Sequence, residues 1–151
     1  MYGVVLALHN ILRWVVVILA VVALVRAYTG WLGKRDWQPA DRKFGSFFAI
    51  SMDIQLLVGL ALYFFLSPIT QLMFQGQMSL VMGNDQMRFF GVEHLFYMIL
   101  GVVFVHLGTI LSRRAEQPLI KHRRAALWFS LVAVTLVVGV PWWRPLFPGL
   151  G

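Results

Sequence analysis

Residues 4–25 read VVLALHNILRWVVVILAVVALV, an apolar stretch interrupted only by His9, Asn10 and Arg13. A helix of about 20 apolar residues crosses the roughly 30 Å hydrocarbon core of a bilayer. Three further stretches have the same character, at about 44–66, 89–111 and 125–140. The sequence therefore predicts an all-α membrane protein, in which residues 1–151 form a single domain of four transmembrane helices in an up-down bundle.

The composition is that of a protein whose solvent is lipid. Hydrophobic residues make up 60% of the 151 residues and charged residues only 13%, whereas soluble domains contain about 25% charged residues. The length leaves room for one domain, and the loops are too short to form another. Function must therefore be sought in polar residues within the spans, because such residues are expensive to place in lipid.

The basic residues predict an orientation. A net charge of +7 is compatible with nucleic-acid binding, but these charges do not cover one face of a domain. Most lie in the loops after the first and third spans, which the positive-inside rule places in the cytoplasm. We therefore predict a multi-pass protein of a prokaryotic inner membrane, with both termini outside and no nucleic-acid partner. The loop residues are Arg26, Lys34, Arg35, Arg42 and Lys43, then Arg113, Arg114, Lys121, Arg123 and Arg124.

The chain contains no cysteine. This excludes disulfides, thiolate-ligated iron–sulfur clusters, covalently attached c-type haem and thiol catalysis. A redox cofactor would have to use other ligands.

Two segments on the predicted outer side have the composition of protein-binding surfaces. A short amphipathic helix in the loop of residues 67–88 would turn Leu72, Met73, Phe74 and Met78 towards lipid or a partner protein. The tail of residues 142–151, WWRPLFPGLG, is rich in aromatic residues and proline. Both segments favour a protein that associates with other subunits.

Two residues near the basic loops carry expectations of their own. Asp41 is placed to cap the start of the second span. His122 lies within the sequence KHRR, and we expect it to face water or lipid phosphate.

Arg13 and Asp53 are predicted to lie near the middle of the membrane. At 1.5 Å per residue, Arg13 is roughly 14 Å below the outer boundary and Asp53 roughly 14 Å above the inner one. An unpaired charge at that depth costs about 3 kcal/mol on insertion scales. The sequence therefore predicts a buried Arg13–Asp53 ion pair, which either joins two helices or lines a polar pocket.

His9 and His94 are each predicted roughly 8 Å below the outer surface, on the first and third spans. Two neutral imidazoles at one level of a four-helix bundle can ligate haem b, with Arg13 or Arg88 near the propionates. Two histidines at one level are also common as hydrogen-bonded interior groups. They would be metal ligands only if haem were bound.

A quinone is the other cofactor that these residue types would suit. A quinone headgroup needs hydrogen-bond donors for its carbonyls and a titratable group that exchanges protons. His9, His94 and Glu93 supply those groups, with Arg13 close by in sequence. The sequence thus leaves a haem pocket and a quinone pocket open.

Several segments resemble a family of small bacterial four-span membrane proteins that is often labelled cytochrome-b-like. The resemblance covers nearly the whole chain and rests on LALHNILRW at 6–14, DIQLLVGL at 53–60, RFFGVEH at 88–94, ALWF at 126–129 and the Pro-Trp sequence that follows. Asp53 departs from the pattern, because many relatives are expected to have histidine there. The resemblance implies importance for His9, Arg13, Gln55, Glu93 and His94.

These observations predict a small accessory subunit of a quinol-linked membrane electron-transfer complex, with partners in the bilayer and no complete active site of its own. The alternative is a stand-alone b-type cytochrome in which His9 and His94 ligate haem. A small transporter or channel is disfavoured, because no span is broken by internal proline and no repeat is visible.

Overall fold

The computed structural model describes residues 1–144, which form helices connected by short turns. The last part of the predicted docking tail, residues 145–151, lies outside the described residues. The elements are α1 (Tyr2–Leu32), α2 (Pro39–Ala61), a π-helical turn (Leu62–Leu66), α3 (Pro68–Phe74), α4 (Met78–Gly83), α5 (Asp85–Arg88), a second π-helical turn (Phe89–Glu93), α6 (His94–Arg114) and α7 (Pro118–Gly139).

Within residues 1–144, three helical segments are long and apolar enough to cross a membrane, namely Tyr2–Leu32, Pro39–Leu66 and Asp85–Arg114. These segments confirm the prediction of an all-α protein with membrane-spanning helices. The fourth long helix, α7, begins with basic side chains at Lys121, Arg123 and Arg124. Only its later part, residues 125–139, is apolar, and it spans about 22 Å at 1.5 Å per residue.

Small residues allow α7 to pack closely against α6. A Cβ atom on Gly108 would lie 2.9 Å from the Cβ of Trp128, and one on Gly139 would lie 2.7 Å from the Cβ of Tyr97. Helices in lipid associate through close packing of this kind, because moving an apolar side chain from lipid into a helix interface gains little hydrophobic free energy.

The core of the bundle lies where α1, α2, α6 and α7 face one another. The α1 face that contributes to it carries mostly alanine, which again brings helices close. Phe48 and Phe129 fill the centre, with ring centroids 5.5 Å apart. The buried residues of this core include Val16, Ala20, Ala23, Ala27, Phe48, Met52, Phe129 and Val132.

A buried carboxylate ties together the bundle end that carries the basic loops, which we call the basic end. Asp41 is 2.8 Å from Arg26 and 2.9 Å from Arg35. Its second oxygen accepts the backbone N–H of Gln38 at 2.8 Å. Asp41 therefore helps to cap α2 as the third helical residue of a capping box, in which Gln38 is the N-cap residue. Charge-assisted hydrogen bonds of this kind are stronger than neutral ones, so Asp41 fixes the α1–α2 connection.

The prediction that His122 is solvated is wrong. His122 is fully buried, its ring occupies the space left by the missing side chain of Gly30, and it lies 4.8 Å from the ring of Trp37. Burial lowers the pKa of His122 below its ordinary value, against the opposing effects of the Asp36 carbonyl and Asp41. The imidazole is therefore a neutral packing element between α1 and α7.

The opposite end of the bundle, which we call the pocket end, is covered by the loop that contains α3, α4 and α5. Thr70 donates to the carbonyl of Tyr63, and the Tyr63 hydroxyl donates to the carbonyl of Gly91 at 2.8 Å. The first bond joins the loop to the first π-helical turn, and the second joins the two π-helical turns to each other. Phe74 and Met78 are about half exposed (54% and 47%), so part of the predicted amphipathic surface is present.

Candidate functional site

A cavity of about 120 Å³ lies at the pocket end, between α1, α2, α6 and α7 and beneath α3. A cavity of roughly 150 Å³ holds a benzene molecule, so this space suits one small ring. Most of its wall is apolar, and its polar groups come from α1, α2 and α6, from residues 63–70 and from Arg144. The apolar lining includes Leu6, Leu56, Met98, Val102, Leu136 and Val140.

Helix α1 supplies three of the polar groups. His9, Asn10 and Arg13 all line the cavity, because residues at i, i+1 and i+4 lie on adjoining parts of one helical surface. Asn10 and Arg13 are buried, with 4% and 5% of their surface exposed. Buried polar side chains within a span are costly unless they find partners.

Gln55 of α2 determines which nitrogen of a neutral His9 ring carries the proton. The Gln55 Nε2 donates to the backbone carbonyl of His9 at 3.0 Å and also lies 3.2 Å from His9 Nε2. Because an amide N–H only donates, His9 Nε2 is the acceptor. A neutral His9 ring therefore carries its proton on Nδ1, as a donor.

His94 has the complementary arrangement. Its Nδ1 lies 2.6 Å from the carbonyl oxygen of Gly139, at the end of α7. A carbonyl only accepts, so Nδ1 carries the proton and Nε2 of the neutral ring is an acceptor. The rings of His9 and His94 meet edge to face, with centroids 6.2 Å apart. The cavity thus has one imidazole donor and one imidazole acceptor side by side.

Arg13 is a buried cation without a carboxylate. Its Nη1 donates to the backbone carbonyl of Pro141 at a long 3.4 Å, and no acidic residue within residues 1–144 forms an ion pair with it. A charge in this position needs compensation from polar or anionic groups. The guanidinium therefore makes the cavity attractive to an electron-rich oxygen.

Several buried polar atoms around the cavity have no hydrogen-bond partner among the described residues. Three are donors, on His9, Asn10 and Arg13, and one is an acceptor, on Gln55. Leaving a buried group unsatisfied costs about 1–3 kcal/mol, so four such groups in one small space indicate a site for a polar ligand. The atoms are His9 Nδ1, Asn10 Nδ2, Arg13 Nε and Gln55 Oε1.

Both π-helical turns lie beside this cavity. Leu62 and Tyr63 of the first turn and Phe90 of the second belong to its lining. A π-helical turn shifts the register of the residues that follow it, and such turns occur frequently at functional sites. The first turn therefore affects the residues that follow α2, and the second affects how α6 presents its side chains to the cavity.

The structure corrects the predicted Arg13–Asp53 pair. Asp53 does not line the cavity with Arg13; its carboxylate accepts from His106 Nε2 of α6 at 2.9 Å. Asp53 is two residues from Gln55, which corresponds to a rotation of about 200° around the helix. Since Gln55 faces the cavity, Asp53 faces the outer groove between α2 and α6. The Asp53 and His106 side chains are 40% and 45% exposed there.

Glu93 is also placed away from the other candidate residues. Its carboxylate accepts from Arg88 at 2.8 Å, and both side chains are 39% exposed. Glu93 belongs to the second π-helical turn and is absent from the cavity lining. The structure therefore brings together His9, Arg13 and His94 from the predicted pocket with Gln55, which the resemblance had singled out, and adds Asn10.

A haem group does not fit this arrangement. His9 Nε2 already accepts from Gln55, so its lone pair is not directed at a metal. A porphyrin is also several times larger than the benzene-sized ligand that suits a cavity of this volume. Haem ligation by His9 and His94 would require Gln55 to release His9 and the helices to separate.

The geometry yields a prediction about the two polar pairs. Removing Asp53 and His106 together should be less destabilising than the sum of the single changes, because contacting residues show coupling energies of about 0.5–3 kcal/mol. We expect this for Asp53→Ala with His106→Ala, measured by equilibrium unfolding in detergent. The matched cycle of Asp53→Ala with Arg13→Leu should be additive. A larger coupling energy between Asp53 and Arg13 than between Asp53 and His106 would support the ion pair that the sequence predicted.

Comparisons with protein-family models, curated proteins and solved structures found no match for the chain. The resemblance to cytochrome-b-like four-span proteins therefore stays a prediction, and function has to be argued from the cavity.

Proposed function

We propose that the cavity binds the headgroup of a quinone or quinol, and that the protein is a small accessory subunit of a quinol-linked membrane electron-transfer complex. The single observation that supports this most directly is the group of unpartnered atoms on His9, Asn10, Arg13 and Gln55 around a ring-sized cavity.

The proposed ligand matches both the size and the polarity of the cavity. A quinone ring has carbonyl oxygens at opposite edges, and these accept from donors such as Arg13 Nε, Asn10 Nδ2 and His9 Nδ1. In the quinol form the hydroxyls also donate, which suits Gln55 Oε1 and His94 Nε2. Ligand sites commonly combine an apolar wall with a few well-placed polar groups.

The chain's own residues would bind, orient and exchange protons with this ligand. Arg13 and Asn10 hold an oxygen of the ring, and Gln55 keeps the His9 proton on Nδ1. His94 Nε2 is placed to accept a hydroxyl proton, while Gly139 holds its ring in position. When bound, the quinone supplies the redox chemistry, and a partner subunit exchanges electrons with it.

Asn10 provides a test that separates binding from folding. Asn10→Leu removes a donor that has no partner in the protein, so the fold should be as stable or more stable. Quinone affinity should fall about two- to tenfold, as expected for the loss of one hydrogen bond. Binding of a short-chain quinone analogue to the protein in nanodiscs, followed by calorimetry, would measure this.

The matched control is Gln75→Leu, which replaces an exposed amide in the pocket-end loop. It should leave quinone affinity unchanged. Unaltered affinity in Asn10→Leu would contradict the proposed site. A reduced-minus-oxidised spectrum of the same sample tests the alternative, since a sharp b-type α-band would support the stand-alone cytochrome with His9 and His94 as ligands.

We also propose that α7 is a fourth span, and that both termini lie outside the inner membrane of a prokaryotic cell. This is supported by the apolar second part of α7 and by the two basic loops, which both lie at the basic end. Because the chain has no cysteine, single cysteines can report the topology directly. Asp36→Cys and Gln117→Cys should react with an impermeant maleimide only from the cytoplasm.

Gln75→Cys, at the pocket end, should react only from the outside. Each of these positions is exposed in the structure, so a failure to react reflects the membrane barrier. Labelling of Gln117→Cys from the same side as Gln75→Cys would contradict the four-span arrangement.

Exposed apolar side chains at the pocket end support association with other subunits. Leu80 is 52% exposed, and Trp142 and Trp143 of the predicted docking tail are 46% and 58% exposed. Such side chains near a membrane boundary suit a protein partner. The lipid bilayer covers the rest of the apolar surface.

Association can be tested on native membranes. Mild detergent should extract the chain in an assembly several times its own 17.2 kDa that contains redox-active subunits. The double substitution Met78→Ser with Leu80→Ser should release the chain from this assembly. The control Leu32→Ser with Leu119→Ser changes exposed apolar positions at the basic end and should leave the assembly intact. Recovery of the unaltered chain as a monomer would contradict the accessory-subunit proposal.

A further inference from the structure

A second concave site lies at the basic end, between the starts of α2 and α7 and the end of α6. This groove has a volume of about 610 Å³. Four cations line it, and they come from three different helices. Arg42 and Lys43 belong to α2, Arg113 to α6 and Lys121 to α7.

The charges of these four residues are not neutralised within the described chain. Arg26 and Arg35 pair with Asp41, and Arg88 pairs with Asp85 and Glu93. Among residues 1–144, none of the four groove cations forms an ion pair, and no carboxylate lines the groove. The groove is therefore a site where four uncompensated positive charges from three helices lie close together.

One of the cations is held in place by a neutral group. Arg113 Nη2 donates to the Ser46 hydroxyl at 2.6 Å, and that hydroxyl donates to the carbonyl of Arg42 at 2.8 Å. This bridge joins α6 to α2 and positions the guanidinium without cancelling its charge. The first turn of α2, which begins at Pro39 in the groove, adds the positive end of a helix dipole.

An apolar surface adjoins the groove on the same helix faces. Ile50 lies four residues after Ser46 on α2, and Ile110 lies three residues before Arg113 on α6. Both side chains are exposed, at 52% and 42%. Trp37, a residue type common at membrane interfaces, lines the groove itself. A ligand there meets positive charge at one end and hydrocarbon at the other.

We propose that this groove binds the headgroup of an anionic phospholipid, with its acyl chains along the exposed α2–α6 face. Four cations suit a headgroup with two phosphates, such as that of cardiolipin, better than one with a single phosphate. Basic pockets between helices on the cytoplasmic side of a membrane bind such headgroups. This proposal does not depend on the quinone site.

The test compares two pairs of substitutions that each remove two positive charges from α6 and α7. Arg113→Gln with Lys121→Gln alters the groove, whereas Arg114→Gln with Arg123→Gln alters exposed cations beside it. Native mass spectrometry in detergent should show cardiolipin bound to the unaltered chain and to the second pair. Affinity of the groove pair should be lower by on the order of tenfold.

Lipid substitution on the unaltered chain tests the proposal without any variant. Cardiolipin should raise the melting temperature, phosphatidylglycerol should raise it less, and phosphatidylcholine should have no effect. Equal loss of binding in the two charge pairs would overturn the proposal, because it would show attraction by net charge alone. Stabilisation by inorganic phosphate equal to that by cardiolipin would also overturn it.

Discussion

The buried guanidinium of Arg13 is the constraint around which the pocket end is organised. A cation in a low-dielectric interior is tolerated only when polar groups surround it, and no carboxylate in the described part of the chain does so. Within residues 1–144, Arg13 forms only a long hydrogen bond to the Pro141 carbonyl, and its Nε has no partner. The same cavity holds unpartnered atoms on His9, Asn10 and Gln55, so the cavity is receptive to a polar ligand.

Much of the fold could be predicted from hydrophobicity alone. The apolar stretch 4–25 lies within α1 (Tyr2–Leu32) and the stretch 89–111 within the second π-helical turn and α6. The helices run past the apolar stretches because backbone hydrogen bonding continues into the interface, where charged side chains reach water. The π-helical turns were not predicted, because hydrophobicity does not distinguish a π-helical turn from an α-helical one.

The candidate site was less predictable, because depth along a helix says nothing about rotation around it. Depth arithmetic placed His9 level with His94, and their rings do meet. The same arithmetic paired Arg13 with Asp53, although Asp53 faces the other side of α2. Gln55, two residues further on, shows which face is inward, but only once the packing of α2 is known. Asn10 was detectable as a polar neighbour of His9 on the same helix face.

His122 illustrates a second limit of sequence reasoning. Its neighbours Lys121, Arg123 and Arg124 predict solvent, yet its ring is buried because Gly30 of α1 leaves space for it. A glycine in one helix and a histidine in another become partners only through tertiary packing. The local charge pattern therefore identifies the basic end correctly, but it does not show that His122 is buried there.

Helix α2 shows how one element serves two environments. Gln55 faces the cavity, while Ser46 and Asp53 face outward and meet Arg113 and His106 of α6. These two outward bridges are seven residues apart on both helices, about 10 Å along the axis, so they hold α2 and α6 in one antiparallel register. That register also sets the relative positions of Gln55 and His94 across the cavity. Water can form hydrogen bonds with the unpartnered cavity atoms when no ligand is bound. A ligand that enters the cavity would replace this water, while the two outward bridges keep α2 and α6 in the same relative position.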